Sequence, residues 1–163
     1  MTNNNPQDRR DAIVEAHAGT VWRIALSRTR REDAAEEVFQ ETFLRLFEKE
    51  RKFDGEEHRK AWLIRTTLVC CKRYQSAAYK HATVSLEEIS GLLSLPEEDG
   101  AVARALFDLP DKYRLPLQLY YMEGMEAEEC AKALDLRLGT FRVRLTRGKN
   151  LLKEVLKGEG IYV

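Results

Sequence analysis

Apolar residues recur at helical spacing along most of this chain, and that feature decides which folds are open to it. The clearest case lies in residues 32–50, where Ala35, Val38, Phe39, Thr42, Phe43, Leu46 and Phe47 form one broad stripe. The carboxylates of that segment fall largely on the opposite side, the pattern of a helix laid on a core. No segment alternates apolar and polar residues with period two, so no strand is expected. The chain must therefore bury its apolar surface by packing helix on helix. Nine glycines and four prolines in 163 residues agree, because a turn-rich sandwich or barrel needs more breakers. The fold class expected is all-α.

Breakers and caps place the helices. Residues 8–28 predict the first, with Ile13, Val14, Val21, Ile24 and Ala25 spaced for one face. Residues 32–50 predict the second. Asp54-Gly55 marks a loop, and residues 57–80 predict a third helix with Ala61, Ile64, Leu68 and Cys71 inward. Residues 83–100 mix Ser, Gly, Pro and acids and read as a linker with room for a short helical piece. Residues 101–109 predict a helix that stops at Pro110. Asp111 is the expected N-cap of a helix reaching residue 121, distorted by Pro116, which has no backbone donor. Residues 126–134 and 139–156 predict two more helices around the turn 135–138. Two small helical domains follow, 1–81 and 100–163, joined by a flexible acidic linker, 82–99. A core divided in two is thin in each half.

The 27 basic and 27 acidic residues cancel, but they are not mixed. Residues 32–50 hold seven acids and two bases; residues 58–86 hold six bases and no acid. Residues 87–111 return to seven acids and one base, and residues 136–153 carry six bases and no acid. Such runs also arise as solvated helix faces. Two separated acid-free stretches point instead to two contacts with a polyanion. Other classes are excluded or disfavoured. Arg65 interrupts the longest apolar candidate, so no membrane insertion is expected. The polar start MTNNNPQDRRD has no signal-peptide core, which makes a cytoplasmic location the expectation. Cys70, Cys71 and Cys130 form neither a disulfide framework nor a zinc spacing and read as inert thiols. His17, His58 and His81 are scattered, and no HExxH, GxSxG or glycine-rich phosphate loop occurs. No enzyme, metal or cofactor is expected.

The last two helices fit a helix-turn-helix. The connection DLRLG is short, and the second helix opens with Gly139-Thr140-Phe141 followed by Arg142, Arg144, Arg147 and Lys149. Recognition helices present their first residues to base edges while neighbouring bases hold phosphates. Arg142 and Arg144 diverge by about 200° on the helix, so they cannot read the same base. Arg142 suits a guanine, and Arg144 turns inward or reaches a phosphate. Leu145, Leu151 and Leu152 read as core. A basic helix hairpin is also compatible with a plain soluble bundle.

The stretch LPDKYRLPLQLYYMEGMEAEECAKALDLRLGTFRVRLTRGKNLLKEVL closely resembles region 4 of the extracytoplasmic-function (group 4) sigma factors of the sigma-70 family. Upstream, DAAEEVFQETFLRLFEKERKFDGEEHRKAWLIRTT resembles region 2 of that family. The two regions cover most of the chain in the family's order, and no feature resembles its region 1.1, its region 3 or an added C-terminal domain.

The resemblance implies a sigma factor that directs core RNA polymerase to stress- or signal-responsive promoters. It implies partners on polymerase (the β′ clamp and the β flap), promoter DNA and an anti-sigma factor. Glu36, Glu37, Gln40, Glu41 and Phe43 match the family's contact with the clamp coiled coil. Arg59, Lys60, Trp62, Arg65, Val69, Lys72 and Arg73 match the segment that melts and reads the −10 element. There, cations and aromatic rings (Trp62, Tyr74, Tyr79) suit an unpaired strand. Core packing is the other role open to Trp62. Thr140, Arg142, Val143, Arg144, Arg147 and Lys149 match the −35 reader. The chain departs from the family in four places. Val69 stands where Asn is common and Arg73 where Asp or Asn is. Glu126 replaces a capping Ser but keeps an anion at the helix start. Val143 replaces a frequent Ser and suits a thymine methyl. A helix-turn-helix regulator without polymerase, and a degenerate sigma-like interaction module that does not melt promoters, are the competing readings. The AEEVFQETF helix argues against the first.

Overall fold

The computed structural model describes residues 5–74, 100–158 and 160. The expected linker, 82–99, and Tyr79 lie outside the described residues. The chain divides into two compact units, Met1–Thr83 and Val84–Val163. Among the described residues both are helical and neither contains a strand.

Among the described residues, the first unit packs three α-helices: α1 (Pro6–Thr29), α2 (Glu32–Glu48) and α3 (Glu56–Cys71). Asn5 starts α1 by accepting from the Gln7 amide at 3.2 Å, with Pro6 in the first turn where its missing donor costs nothing. The helix ends as Arg30 turns left-handed at φ 60° and donates to the Leu26 carbonyl at 2.8 Å. Gly55, at φ 120°, precedes α3 in a conformation that a side chain would strain. After α3 the chain tightens into a 3₁₀ turn, Lys72–Tyr74, before the described part of this unit stops.

The stripe on α2 does what its spacing requires. Phe43 and Leu46 join Val21 of α1 and Leu63 of α3 in one buried cluster, with Phe39, Phe47, Phe53 and Trp62 against it. Trp22, Phe39, Phe43 and Phe47 follow one another at ring spacings of 6.2, 5.0 and 6.5 Å. Large rings compensate for a small core, since each buried side chain of this size contributes about 2–3 kcal/mol. Three threonines inside are satisfied locally. Thr29, Thr42 and Thr67 donate their hydroxyls back to Ala25, Val38 and Leu63 carbonyls at 2.7, 2.8 and 2.6 Å. His17 Nε2 lies 2.7 Å from a Glu56 oxygen, tying α1 to the first turn of α3.

Among the described residues, the second unit has four α-helices: α4 (Gly100–Asp108), α5 (Asp111–Leu117), α6 (Ala127–Ala133) and α7 (Leu138–Gly158). Leu106, Leu109 and Leu117 form its inner cluster, and Leu145, Leu151 and Leu152 of α7 pack on it as expected. The key polar residue is Arg114, only 1% exposed. Its guanidinium donates to the Leu109 carbonyl at 2.6 Å and the Phe107 carbonyl at 3.4 Å, and pairs with Asp111. One side chain thus joins the end of α4 to the start of α5. Gly148 lets α7 approach α5 closely, because a Cβ there would stand 3.1 Å from the Tyr113 carbonyl oxygen.

Two expectations about this region change. Asp111 does not cap α5: Pro110 occupies the cap and Asp111 is the first helical residue, its carboxylate engaged by Arg114. The helix expected to reach residue 121 stops being α at Leu117 and widens into a π turn, Gln118–Met122. Pro116 explains this, since the Lys112 carbonyl has no amide four residues on to accept from. All three cysteines are buried and free. Burial pushes the Cys130 thiol up to about 12 and raises Cys70 as well, which keeps both protonated and unreactive near neutrality.

Candidate partner and nucleic-acid interfaces

The outer side of α2 is a carboxylate face. Helical spacing brings Glu36, Glu37, Gln40 and Glu41 round to the side away from the core. The first three are exposed and Glu41 is half-buried. Leu44, 71% exposed, sits among them and was not singled out by the sequence. Phe43 does not belong to this face. It is 6% exposed and points into the aromatic cluster, so its contribution is to hold α2 from behind. Two of the carboxylates already have partners. Glu37 accepts from the Tyr74 hydroxyl, and Glu41 pairs with Arg73 and, at 2.9 Å, with Arg45.

Along α3, positions 58, 62, 65, 69 and 72 share one side by helical spacing. Trp62 is half-buried and serves two purposes. It packs on the core cluster, and the Arg51 guanidinium lies 4.5 Å from its ring centre. Phe53 meets Trp62 edge-on at 6.0 Å, while Arg59 lies over Phe53 at 5.3 Å and pairs with Glu56. Phe53 falls within the stretch 52–73 that resembles the −10 segment, whereas Arg51 is a functional candidate that the sequence reading passed over; the mixed basic and aromatic run RKF was its signal. Lys60 and Arg65 are half-buried, Lys72 and Arg73 are exposed, and Val69 presents its methyls to solvent at 47% exposure. The result is a mixed surface of cations and ring edges, suited to stacking bases with phosphates alongside.

The recognition hairpin is built as its sequence implies. Glu126 is extended at the start of α6 and its side chain makes no capping bond. The turn closes through Asp135 at φ 56° and a 2.8 Å bond from the Leu136 amide to the Ala131 carbonyl. Phe141 anchors α7, fully buried, while Thr140, Arg142, Val143, Arg147 and Lys149 are exposed. Arg144 is half-buried, on a different side from Arg142, as the 200° divergence requires. It lines a cleft of about 430 Å³ with Lys112, Tyr113, Gly139, Thr140, Val143 and Arg147. Lys112 and Tyr113 come from the first turn of α5 and were not in the candidate set. Lys149 stands 5.5 Å from the Tyr121 ring centre. Arg142, Arg144 and Arg147 make no ion pair among the described residues.

Comparison with known proteins accounts for this layout. Residues 13–79 match the model for sigma-70 region 2, and residues 99–152 match that for sigma-70 region 4. The chain is 26% identical to the ECF RNA polymerase sigma factor SigM of Bacillus subtilis over 88% of its own length and 92% of that protein. It is 29% identical to the ECF sigma factor SigL of Mycobacterium tuberculosis, covering 92% of this chain and 90% of SigL. SigE of Mycolicibacterium smegmatis is 28% identical, but the chain spans only 61% of that protein. Among solved structures, the sigma factor RpoE of Bartonella quintana, in complex with the anti-sigma factor NepR, superposes with a TM-score of 0.66 at 20% identity, over 93% of this chain and 96% of that one. The chain belongs to the extracytoplasmic-function sigma factors of the sigma-70 family. It is an RNA polymerase sigma factor, a protein of promoter-specific initiation.

Proposed function

We propose that α2 docks on the clamp of core RNA polymerase through Glu36, Glu37, Gln40 and Glu41, with Leu44 as an apolar contact between them. The α3 surface then takes the unpaired −10 strand, and α7 reads the −35 element in the major groove. Arg142 faces base edges, and Arg144 and Arg147 with Lys112 hold a phosphate beside them. The second unit also meets the β flap. The observation that carries this reading is the coexistence, in one chain, of an exposed carboxylate face on α2 and two basic surfaces on separate helical units. A plain DNA-binding regulator has no use for the first. The protein acts by binding alone, without catalytic residues or cofactor, in the cytoplasm where polymerase and DNA are found. Promoters answering a stress or signal are its targets. An anti-sigma factor covering these surfaces fits the state in which RpoE of Bartonella quintana was solved. Among the described residues, no helix is long and apolar enough to cross a membrane.

The test is affinity for core polymerase. Glu37→Lys combined with Gln40→Ala should weaken binding by about 10-fold or more, since complementary charges across an interface set both steering and register. Equal capture of core by wild type and double variant, at matched circular dichroism, removes α2 from the interface.

A further inference from the structure

Two surfaces assigned to different partners are joined to each other in the free chain. Arg73, a −10 candidate, pairs with Glu41, a polymerase candidate. The next residue, Tyr74, donates its hydroxyl to Glu37, one turn earlier on α2. The Arg73 guanidinium also lies 5.6 Å from the Tyr74 ring centre, so the pair acts as one cation-aromatic unit. The backbone places them there. The 3₁₀ turn Lys72–Tyr74 brings the end of α3 back toward α2, and Tyr74 is buried in doing so. Arg73 remains 55% exposed and Glu41 25%, so the contact is open to competition from solvent and from a partner.

We propose that this contact is a latch: Arg73 and Tyr74 occupy the carboxylates of α2 until the basic clamp helix of polymerase displaces them, which frees both for the DNA strand. The inference rests on the reading of α2 as the polymerase face. Its chemistry is competition between two cationic occupants for one acidic site. A guanidinium and a phenol of the chain itself stand where an arginine-bearing partner would bind. Linkage then requires reciprocity. Whatever weakens the latch must raise the free chain's affinity for single-stranded DNA, and must also raise its affinity for core polymerase if the α2 carboxylates are kept. The α3 surface of the free protein is thereby kept off single-stranded DNA.

The experiment uses the full chain and a fluorescein-labelled single-stranded 12-mer of mixed sequence, read by anisotropy at low salt. Glu41→Gln should tighten oligonucleotide binding by roughly fivefold, the scale of one partly exposed charge contact. Glu48→Gln removes the same charge from the same helix without touching Arg73, and should change binding less than about twofold. Tyr74→Phe keeps the ring, removes the donation to Glu37, and should tighten binding by about two- to threefold. Arg73→Gln keeps every α2 carboxylate and should bind core polymerase about two- to fivefold more tightly than wild type. If Glu41→Gln and Glu48→Gln act alike, or if Arg73→Gln weakens core binding, the latch is wrong. Loss of core binding in the Glu37→Lys, Gln40→Ala variant beside an unchanged Arg73→Gln would reject the latch and leave the polymerase face standing. No effect of either would reject both.

Discussion

In the first unit the candidate surface charges are engaged with neighbours: Arg73 and Arg45 pair with Glu41, and Arg59 with Glu56. In the second unit the recognition arginines make no ion pair among the described residues, and it is the buried Arg114 that is fully satisfied. The same residue type is a scaffold in one place and a presented ligand in the other. Burial decides which. A guanidinium 1% exposed must have all its donors matched, so it is fixed by structure. One on the outside of α7 is held only by its helix. On the proposed function, the face of α7 is complete once that helix is placed, whereas the α3 surface is tied to α2 through Arg73 and Tyr74.

Removing Arg114 is the strongest way to break that comparison. Arg114→Ala removes the guanidinium donor from the Leu109 and Phe107 carbonyls and the Asp111 carboxylate, and should cost the second unit roughly 3 kcal/mol or more. Both tryptophans, Trp22 and Trp62, lie in the first unit. Urea unfolding followed by fluorescence should thus stay at the wild-type midpoint while the circular dichroism transition acquires an earlier phase. An unmoved dichroism curve would mean that Arg114 is not structural.

The presented arginines should respond differently. Arg142→Ala should cost roughly 1–3 kcal/mol at one −35 base pair and relax preference there, whereas Lys149→Ala should weaken all sequences alike and lower the salt slope by about one. Promoter-variant titration with holoenzyme at several salt concentrations separates the two. Equal effects at every sequence would show that α7 is docked in another register.

Much of this was legible in the sequence, for a physical reason. Helices with a wide apolar stripe declare themselves, so 8–28, 32–50 and 101–109 foreshadow α1, α2 and α4 to within about two residues. The hairpin was equally plain because its connection is short and its second helix is marked by charge. Phe43 shows where two signals collided: spacing put it in the core, the family motif put it on the polymerase face, and burial follows the spacing. The role of Arg114 was hidden because arginine is rarely buried and nothing local marks an exception. The π turn was hidden because Pro116 announces a lost bond but not how the chain recovers it. Contacts between distant segments, such as Tyr74 to Glu37, leave no trace in local pattern at all.

Two smaller effects sharpen the comparison. Asp135 closes the recognition turn at φ 56°, a left-handed conformation that costs a side-chain-bearing residue about 1 kcal/mol. Asp135→Gly should raise the melting temperature of the second unit and leave the first unchanged; a fall would mean that the carboxylate is needed in the turn. In the first unit, the His17 contact, reinforced by Arg59, holds the Glu56 carboxyl below its ordinary value of 4.5. A depressed carboxylate stabilises the fold above 4.5, and that stabilisation is lost as pH falls through the lowered value. Glu56 is 65% exposed, so the effect should stay under about 1 kcal/mol. Thermal melts of wild type and Glu56→Gln should differ above pH 4.5 and converge as pH falls through the lowered value. A constant difference would remove the carboxylate from the pH response.

On the proposed function, one chain carries polymerase to DNA through two separate surfaces. Transcription by core polymerase supplemented with this protein, on a library of genomic promoter fragments, measures it directly. Start sites absent with core alone are expected, preceded by two short shared elements at constant spacing, and lost when Glu37→Lys and Gln40→Ala are combined. Initiation no different from core alone, from a protein that still binds duplex DNA, would contradict it.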